Sequence, residues 1–287
     1  MKKLLCILIL CSVLFAGCSG CIQSGQQIES HQKDEQTQQA EMTDREFLAA
    51  AGEWLERDFS FTATFQYVNL AMCGMQQRTE QVFGKDGSWS MLTDRQIWDH
   101  RTDYRQENAA QFYYRYEGSQ LVCYSNVEGE GPQRGVISKR DRDTMDEDKA
   151  RIVGIPALMP DYLEGLYVTQ PEGNGDVTVL CYWLPVDKVM ADNTMLSMYI
   201  NNAFSLSGNT YPPEADAGIL VIFEIDRKTC QPISLSYMFQ ELKPYVLSSG
   251  AQSGEEALDA DFMTMSYSFD YDLPDTVEIP DEMIPQI

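Results

Sequence analysis

Few side chains in this sequence could act in catalysis at neutral pH. The 287 residues include two histidines. His31 lies in a polar N-terminal stretch, and His100 stands in the polar segment Trp98-Asp99-His100-Arg101, where an ordinary surface residue is expected. No Ser-His-Asp, Cys-His or HExxH arrangement can be built around His100. The sequence therefore predicts no catalytic residue and no enzyme activity.

Carboxylates are abundant, but their spacing identifies no site. Two would suffice for a glycosidase, yet chance pairs are numerous among 44 acidic residues, so a hydrolase is kept only as a third alternative. The acids from Asp141 to Asp148 resemble a calcium loop, but Met145 takes the place of a ligand and Asp146 that of the required glycine. These acids fit the start of a solvated helix instead. No metal and no cofactor is predicted.

Four cysteines lie in the part of the chain that is expected to fold: Cys73, Cys123, Cys181 and Cys230. None of them forms a CxxC or CxxH pair, so a structural zinc site is not expected. In an exported protein they could form disulfides in any of three pairings. Equally, they could be buried thiols, as the apolar strand pattern around Cys181 suggests. The sequence leaves both states open.

Aromatic and methionine side chains form the pattern that most favours a binding site. They alternate with polar side chains along several segments, so they would line one face of a curved sheet. The candidate ligand-binding residues are Tyr114, Tyr116, Tyr237, Phe239, Met263, Met265, Tyr267 and Phe269. Methionine and aromatic side chains adapt to apolar ligands. They would either line a ligand cavity or form the core between a sheet and its helices.

The charge of the chain excludes one class of partner. Acidic residues number 44 against 21 basic ones, which gives a net charge of −23. Nucleic-acid binding needs a basic surface that displaces counterions, so no nucleic-acid partner is expected. No lysine or arginine follows Lys243, whereas residues 244–287 hold ten acids. This distribution is typical of the solvated outside of a sheet and its tail.

The N-terminus has the form of a bacterial export signal. Lys2 and Lys3 precede an apolar run from Leu4 to Phe15, and Ala16-Gly17-Cys18 follows. The small-small-Cys ending resembles a lipobox, although Phe15 stands at position −3 where leucine is preferred. We therefore expect cleavage after Gly17 and lipidation of Cys18, which would hold the protein on the outside of the bacterial cell membrane. The alternatives are a soluble secreted protein and an uncleaved anchor.

Three regions follow from composition and spacing. Residues 1–17 are predicted to be a lipoprotein signal peptide, and the glutamine-rich residues 18–42 a disordered tether that cannot form a core. Residues 43–287 are predicted to be a single domain. Within it, Thr43-Asp44-Arg45-Glu46 fits a capping box, and apolar residues at helical spacing predict a helix from Asp44 to Arg57.

Beyond this helix, apolar residues recur at every second position. This spacing predicts antiparallel strands with one buried face. The alternating segments are Phe61–Tyr67, Phe112–Tyr116, Val177–Trp183, Ile233–Phe239 and Met263–Tyr271. Gly218–Asp226 is continuously apolar and suits a central strand covered on both sides, and Lys85-Asp86-Gly87 favours a hairpin. Two further segments, Arg142–Arg151 and Asp187–Phe204, are predicted to be helices. Ile152–Leu166 is predicted to be a covering loop or a short helix.

The order of these elements resembles the LolA/LppX-like lipoproteins, including uncharacterised relatives on Gram-positive cells. The resemblance covers about residues 43–282 and is carried by Val221–Ile233, which is similar to a late hairpin of that family, and by Tyr267–Pro280, which is similar to its closing strand. It implies an α+β fold in which helices close a large, curved antiparallel sheet, called a half-barrel. It also implies a cavity for acyl chains. The arginine with which carrier proteins of the family hold a lipoprotein has no position that the sequence identifies.

Together these observations predict a membrane-anchored extracytoplasmic lipoprotein that is not catalytic and binds an amphipathic or acyl ligand in the concave half-barrel. The expected partners are the membrane, through the lipid at Cys18, and a lipid or other hydrophobic ligand. The main alternative is a cell-surface protein-interaction module with a solid core and no ligand. The sequence identifies no protein partner.

Overall fold

A computed structural model of the chain describes residues 42–69, 73–138, 175–191, 195–206, 210–212, 217–247 and 263–285. Helix α1 (Asp44–Leu55) opens this part of the chain, and its predicted capping box is confirmed. The Thr43 hydroxyl accepts a hydrogen bond from the Glu46 N–H at 3.4 Å, and the Glu46 carboxylate accepts one from the Thr43 N–H at 2.6 Å. These bonds satisfy two of the amides that a helix start leaves unpaired. The helix ends at Leu55, two residues before the predicted end at Arg57.

Ten strands form one open antiparallel sheet. The first six are β1 (Ser60–Asn69), β2 (Cys73–Phe83), β3 (Trp89–Asp99), β4 (Tyr104–Glu117), β5 (Gln120–Val127) and β6 (Gly131–Val136). The last four are β7 (Val177–Pro185), β8 (Gly218–Asp226), β9 (Pro232–Met238) and β10 (Met263–Asp270). The strand order is β6-β5-β4-β3-β2-β1-β10-β9-β8-β7. Because β6 and β7 end the order, the curved sheet is not closed, and the predicted α+β half-barrel is confirmed.

The pairing register assigns each side chain to a face, since residues directly opposite each other on neighbouring strands point to the same side. We call the side that carries Phe61, Phe65 and Tyr67 of β1 the core face, and the side that carries Thr62, Thr64 and Gln66 the outer face. The core face of β10 places Met265 opposite Phe65.

Helices cover much of the core face. They are α1, α2 (Val186–Ala191), α3 (Met195–Leu206) and α4 (Lys243–Leu247). The buried side of α1 joins the core through Leu48 and Ala51, and Tyr199 of α3 stacks on Phe65 with ring centroids 4.1 Å apart. We call the large cluster that these helices form with β1, β2 and β7–β10 the main core.

Two sequence predictions need correction in detail. The predicted helix Asp187–Phe204 is two helices, α2 and α3, with Asn193 between them. Strand β6 was not predicted, because its sequence, Gly-Pro-Gln-Arg-Gly-Val, has no apolar alternation. The predicted helix Arg142–Arg151 and loop Ile152–Leu166, like Cys18 and His31, lie outside the described residues.

The acidic C-terminal tail is less solvated than its composition suggests. Met283 has no exposed surface and packs with Tyr113, Val122 and Tyr124 on the outer face. The Val277 N–H donates to the Ser88 hydroxyl at 2.8 Å. A few apolar side chains among the acids therefore fasten the tail to the sheet.

The four cysteines that the structure describes are thiols. Cys73 lies on β2 and Cys123 on β5, with β3 and β4 between them, so the strand spacing alone separates the two by at least about 14 Å. Cys181 points to the outer face of β7, and Cys230 lies in the turn between β8 and β9. A disulfide needs Cα atoms within about 7 Å. The described structure therefore agrees with the thiol alternative.

Within the described residues, no helix has the length and apolar character needed to cross a bilayer.

Candidate binding surface

The eight predicted ligand residues all point to the core face, but they do not form one site. Tyr237, Phe239, Met263, Met265 and Tyr267 belong to the main core and are at most 2% exposed. Phe269 packs at the margin of the same cluster. Tyr114 is 9% exposed and lies across the sheet against Trp89, with ring centroids 3.8 Å apart, and Tyr116 is 47% exposed.

The five buried side chains form close-packed core in this conformation, since almost none of their surface is accessible even to water. Burial also raises the pKa of the Tyr237 and Tyr267 hydroxyls above the ordinary value, so both stay neutral. A ligand would reach these residues only if the helices moved away from the sheet. Ligand binding by the predicted set stays a prediction.

In another part of the core face, all the side chains are half-buried. It lies on β2, β3 and β4, between the main core and the aromatic cluster around Tyr114. We call it the amphipathic band, and its residues are Gln77, Thr79, Met91, Thr93, Arg95, Ile97, Asn108, Ala110 and Phe112. Polar side chains occupy the middle of the band, with Met91 and Phe112 at one end and Ile97 at the other, so the surface is partly apolar and partly polar.

A polar row crosses the band at its centre. The register sets Arg95 between Gln77 on β2 and Asn108 on β4. The Gln77 amide donates to the Tyr199 hydroxyl at 3.0 Å and to the Thr79 hydroxyl at 3.2 Å. The Asn108 amide oxygen, in the orientation that satisfies its neighbours, accepts from Arg95 Nη2 at 3.3 Å. The guanidinium of Arg95 therefore faces amides and hydroxyls.

The other arginines on the described strands have a different environment. All of them point to the outer face and pair with a carboxylate. The ion pairs are Arg78–Glu80 at 3.6 Å, Arg105–Glu107 at 2.6 Å, Arg115–Glu117 at 3.0 Å and Arg134–Glu117 at 2.6 Å. Among these strand arginines, Arg95 alone has no carboxylate within ion-pair distance. Arg95 is therefore a half-buried cation that makes no ion pair with the described residues, in a chain with a net charge of −23.

Two neighbouring groups complete the electrostatics of the band. Burial raises the pKa of Tyr199 to about 12, while the nearby Arg95 acts in the opposite direction, so the hydroxyl remains a neutral donor. The Gln81 side-chain oxygen, at the next position on the same face of β2 after Thr79, is buried and has no hydrogen-bond partner among the described residues.

Sequence reasoning missed Arg95 because Thr93-Asp94-Arg95-Gln96 has no apolar alternation from which to assign a face. A signal was nevertheless available in the predicted hairpin. Its turn sets Phe83 opposite Trp89, and counting back along both strands sets Gln77 opposite Arg95. This register puts Arg95 on the same face as Phe65.

The structure does not bring His100 into a catalytic arrangement with the residues it describes. His100 is exposed at the end of β3, and the neighbouring Asp99 is held by Arg101 at 2.9 Å. Among the described residues, no group of three His, Cys, Asp or Glu side chains is placed to hold a metal ion.

Comparisons with known proteins give only distant likenesses. No family model matches the chain, and no curated protein sequence matches it. Among solved structures, the crystal structure of LprF from Mycobacterium bovis is 8% identical, covers 83% of this chain and 96% of that chain, and has a TM-score of 0.39. A beta-barrel-like protein of domain of unknown function DUF1849 from Brucella abortus is also 8% identical, covers 74% and 95% of the two chains, and has a TM-score of 0.21. Likeness at this level transfers no ligand and no residue role, so the assignment of the fold rests on the strand order.

Proposed function

We propose that this chain is a lipid-anchored extracytoplasmic protein that binds an anionic amphipathic ligand on the amphipathic band and has no catalytic activity. The observation that carries the proposal is Arg95, a half-buried cation without a carboxylate partner on the core face of the sheet.

The band offers complementary contacts for the two ends of such a ligand. An anionic head group would accept charge-assisted hydrogen bonds from the Arg95 guanidinium, with the Asn108 amide beside it. Met91 and Phe112, which are opposite each other on β3 and β4, provide apolar surface four residues further along the strands. Acyl carbons would be buried there at roughly 0.8 kcal/mol for each CH₂ group.

Lipidation of Cys18, if it occurs as the sequence predicts, would serve the same function by limiting the distance between the domain and the membrane. A flexible tether of residues 18–42 would span about 25–30 Å on average. The acidic domain would be repelled by anionic head groups and held near them by its acyl chains. Arg95 would then be one of few cationic contacts open to a single anionic lipid.

A lipid-transfer experiment tests the proposal. The purified full-length chain is incubated with vesicles of phosphatidylglycerol or of phosphatidylcholine, separated from them, and analysed by native mass spectrometry. We expect phosphatidylglycerol to be retained in preference to phosphatidylcholine. Arg95→Gln should reduce its retention about tenfold or more, since a hydrogen bond to a charged group contributes about 1.5–3 kcal/mol.

Arg105→Gln is the matched control, because it removes the same charge from the outer face of the sheet. If both variants lost the same amount of retained phosphatidylglycerol, the net charge of the chain would explain the effect, and Arg95 would have no specific role. Absence of lipid from the wild-type chain would refute the proposal and favour a protein-interaction module. The packed core around Tyr237 and Met263 is the observation that favours this second function.

A further inference from the structure

The outer face carries a polar groove that the proposed lipid site does not use. Two adjoining cavities of about 370 and 440 Å³ lie across β1–β4 and share Gln76 and Gln96. We call them together the outer groove. Among its lining residues are Thr64, Gln66, Gln76, Arg78, Asp94, Gln96, Trp98, Asp99, Asp103, Tyr104, Arg105 and Thr264.

Three glutamines form a row at the centre of the outer groove. The register sets Gln66, Gln76 and Gln96 side by side on β1, β2 and β3, about 4.8 Å apart from strand to strand. Thr264 on β10 extends the row by one hydroxyl. The three amides make no hydrogen bond within the described structure, and each offers donors and an acceptor. Such a row matches a ligand with hydroxyl groups at regular intervals.

A flat aromatic surface adjoins the glutamine row. Trp98 is opposite Gly74, and its indole lies directly over that glycine. A Cβ atom at position 74 would come within 2.1 Å of the Trp98 ring, so only glycine allows the ring to lie this close to β2. Trp98 is half-buried and lines the groove two residues beyond Gln96. Exposed faces of aromatic rings stack on the C–H faces of sugar rings, which carry no charge.

The outer groove has no excess of positive charge. Arg78 and Arg105 line it together with Asp94, Asp99 and Asp103, and both arginines already pair with a carboxylate, of Glu80 and Glu107. An anionic ligand would therefore gain little from this surface, whereas a neutral polyhydroxyl ligand is not repelled by it.

From the glutamine row, the Trp98 surface and this charge balance, we propose that the outer groove binds a neutral oligosaccharide. Amide and guanidinium side chains would hydrogen-bond to its hydroxyl groups, and one sugar ring would stack on Trp98. The size of the groove agrees with a short chain of sugar rings, since pockets for small ligands measure about 300–1,000 Å³.

Isothermal titration calorimetry on the full-length chain tests the proposal with three soluble probes of equal length: an N-acetylglucosamine oligomer, a glucose oligomer and a uronate oligomer. We expect a neutral oligomer to bind and the uronate oligomer to bind at least about tenfold more weakly. The stronger neutral probe would distinguish an amino-sugar chain from a plain glucan as the ligand.

Gln96→Ala and Trp98→Ala should each weaken binding of the neutral probe about tenfold. Gln96 is exposed, so its variant should fold even if the loss of the half-buried Trp98 disturbs the sheet. Gln111→Ala is the matched control, because Gln111 points to the outer face of β4 but does not line the groove. Failure of both neutral oligomers to bind, or equal affinity in Gln96→Ala and Gln111→Ala, would overturn the proposal. Arg95→Gln should leave the affinity unchanged, which separates this site from the lipid site.

Discussion

The contact between Gly74 and Trp98 makes a quantitative prediction about stability. In Gly74→Ala the new methyl group would meet three ring atoms of Trp98 at 2.1, 2.5 and 2.7 Å. The indole must leave its position, and overpacking of this kind costs about 1–3 kcal/mol. We therefore expect Gly74→Ala to lower the free energy of unfolding by that amount, although alanine is otherwise better than glycine within a strand.

Removing the ring reverses the sign of the effect. In a Trp98→Ala background the methyl group meets no ring, and alanine at position 74 should stabilise the strand by about 0.5–1 kcal/mol relative to glycine. The two effects together give a coupling energy of about 1.5–4 kcal/mol between the positions. A double-mutant cycle isolates this coupling from the separate cost of losing the indole.

The assay is urea unfolding of the four full-length proteins, followed by circular dichroism, with the change in free energy taken from the transition midpoints. Gly135→Ala on β6 is the control, because a Cβ atom there meets nothing within 4 Å. It should be neutral or stabilising. Additive effects of Gly74→Ala and Trp98→Ala would show that the ring does not lie on the glycine, and would refute the steric reasoning and the flat surface of the outer groove with it.

Three further predictions concern the ends and edges of the fold. Thr43→Ala should cost about 1 kcal/mol of stability in urea unfolding through loss of the capping box, whereas Thr43→Ser, which keeps the hydroxyl, should cost far less. Hydrogen bonds from Tyr124 and two arginines lower the pKa of Glu117 from 4.5 to about 2, so its ionised form stabilises the fold above pH 4.5 and that contribution is lost as the pH falls toward about 2. The stability advantage of wild type over Glu117→Gln should therefore shrink across this window, and a constant difference would contradict the assignment. Met283→Ala should cost about 2–5 kcal/mol at the buried tail contact and speed proteolytic removal of the tail, which Met283→Leu should not do.

Local signals in the sequence were sufficient for most of the regular structure. Thr43 and Glu46 specify the start of α1 through their own hydrogen bonds, which depend on no distant residue. The alternation along β1 and β10 is equally local, because the same side chains that repeat with a period of two also fill the main core. Gly218–Asp226 also has the predicted central position, since β7 and β9 flank it.

The parts that sequence reasoning missed depend on contacts between distant segments. Strand β6 has no core of its own and is held by pairing with β5. The most deeply buried residue of the C-terminal tail is Met283, whose burial is set by aromatic residues about 160–170 positions earlier in the chain. The sequence alone does not distinguish Arg95 from Gln96, because only the pairing register shows that they point to opposite faces of the sheet. Each of these features follows from a pairing, which composition and periodicity do not contain.

The register of one hairpin decides the chemistry of both proposed sites. Along β3 the side chains alternate between them: Arg95 and Ile97 face the amphipathic band, whereas Gln96 and Trp98 face the outer groove. A slip of one residue would turn Arg95 outward among acids and bring Trp98 into the core, so neither site tolerates an error in pairing. The β2–β3 turn is fastened accordingly. Gly87 takes a positive φ of 81°, and Asp86 accepts hydrogen bonds from the Ser88 N–H at 2.9 Å and, from the C-terminal tail, from the Thr276 hydroxyl at 2.8 Å. The tail would thus contribute to both proposed sites without contacting a ligand, because it holds the turn that sets the register of β3 against β2.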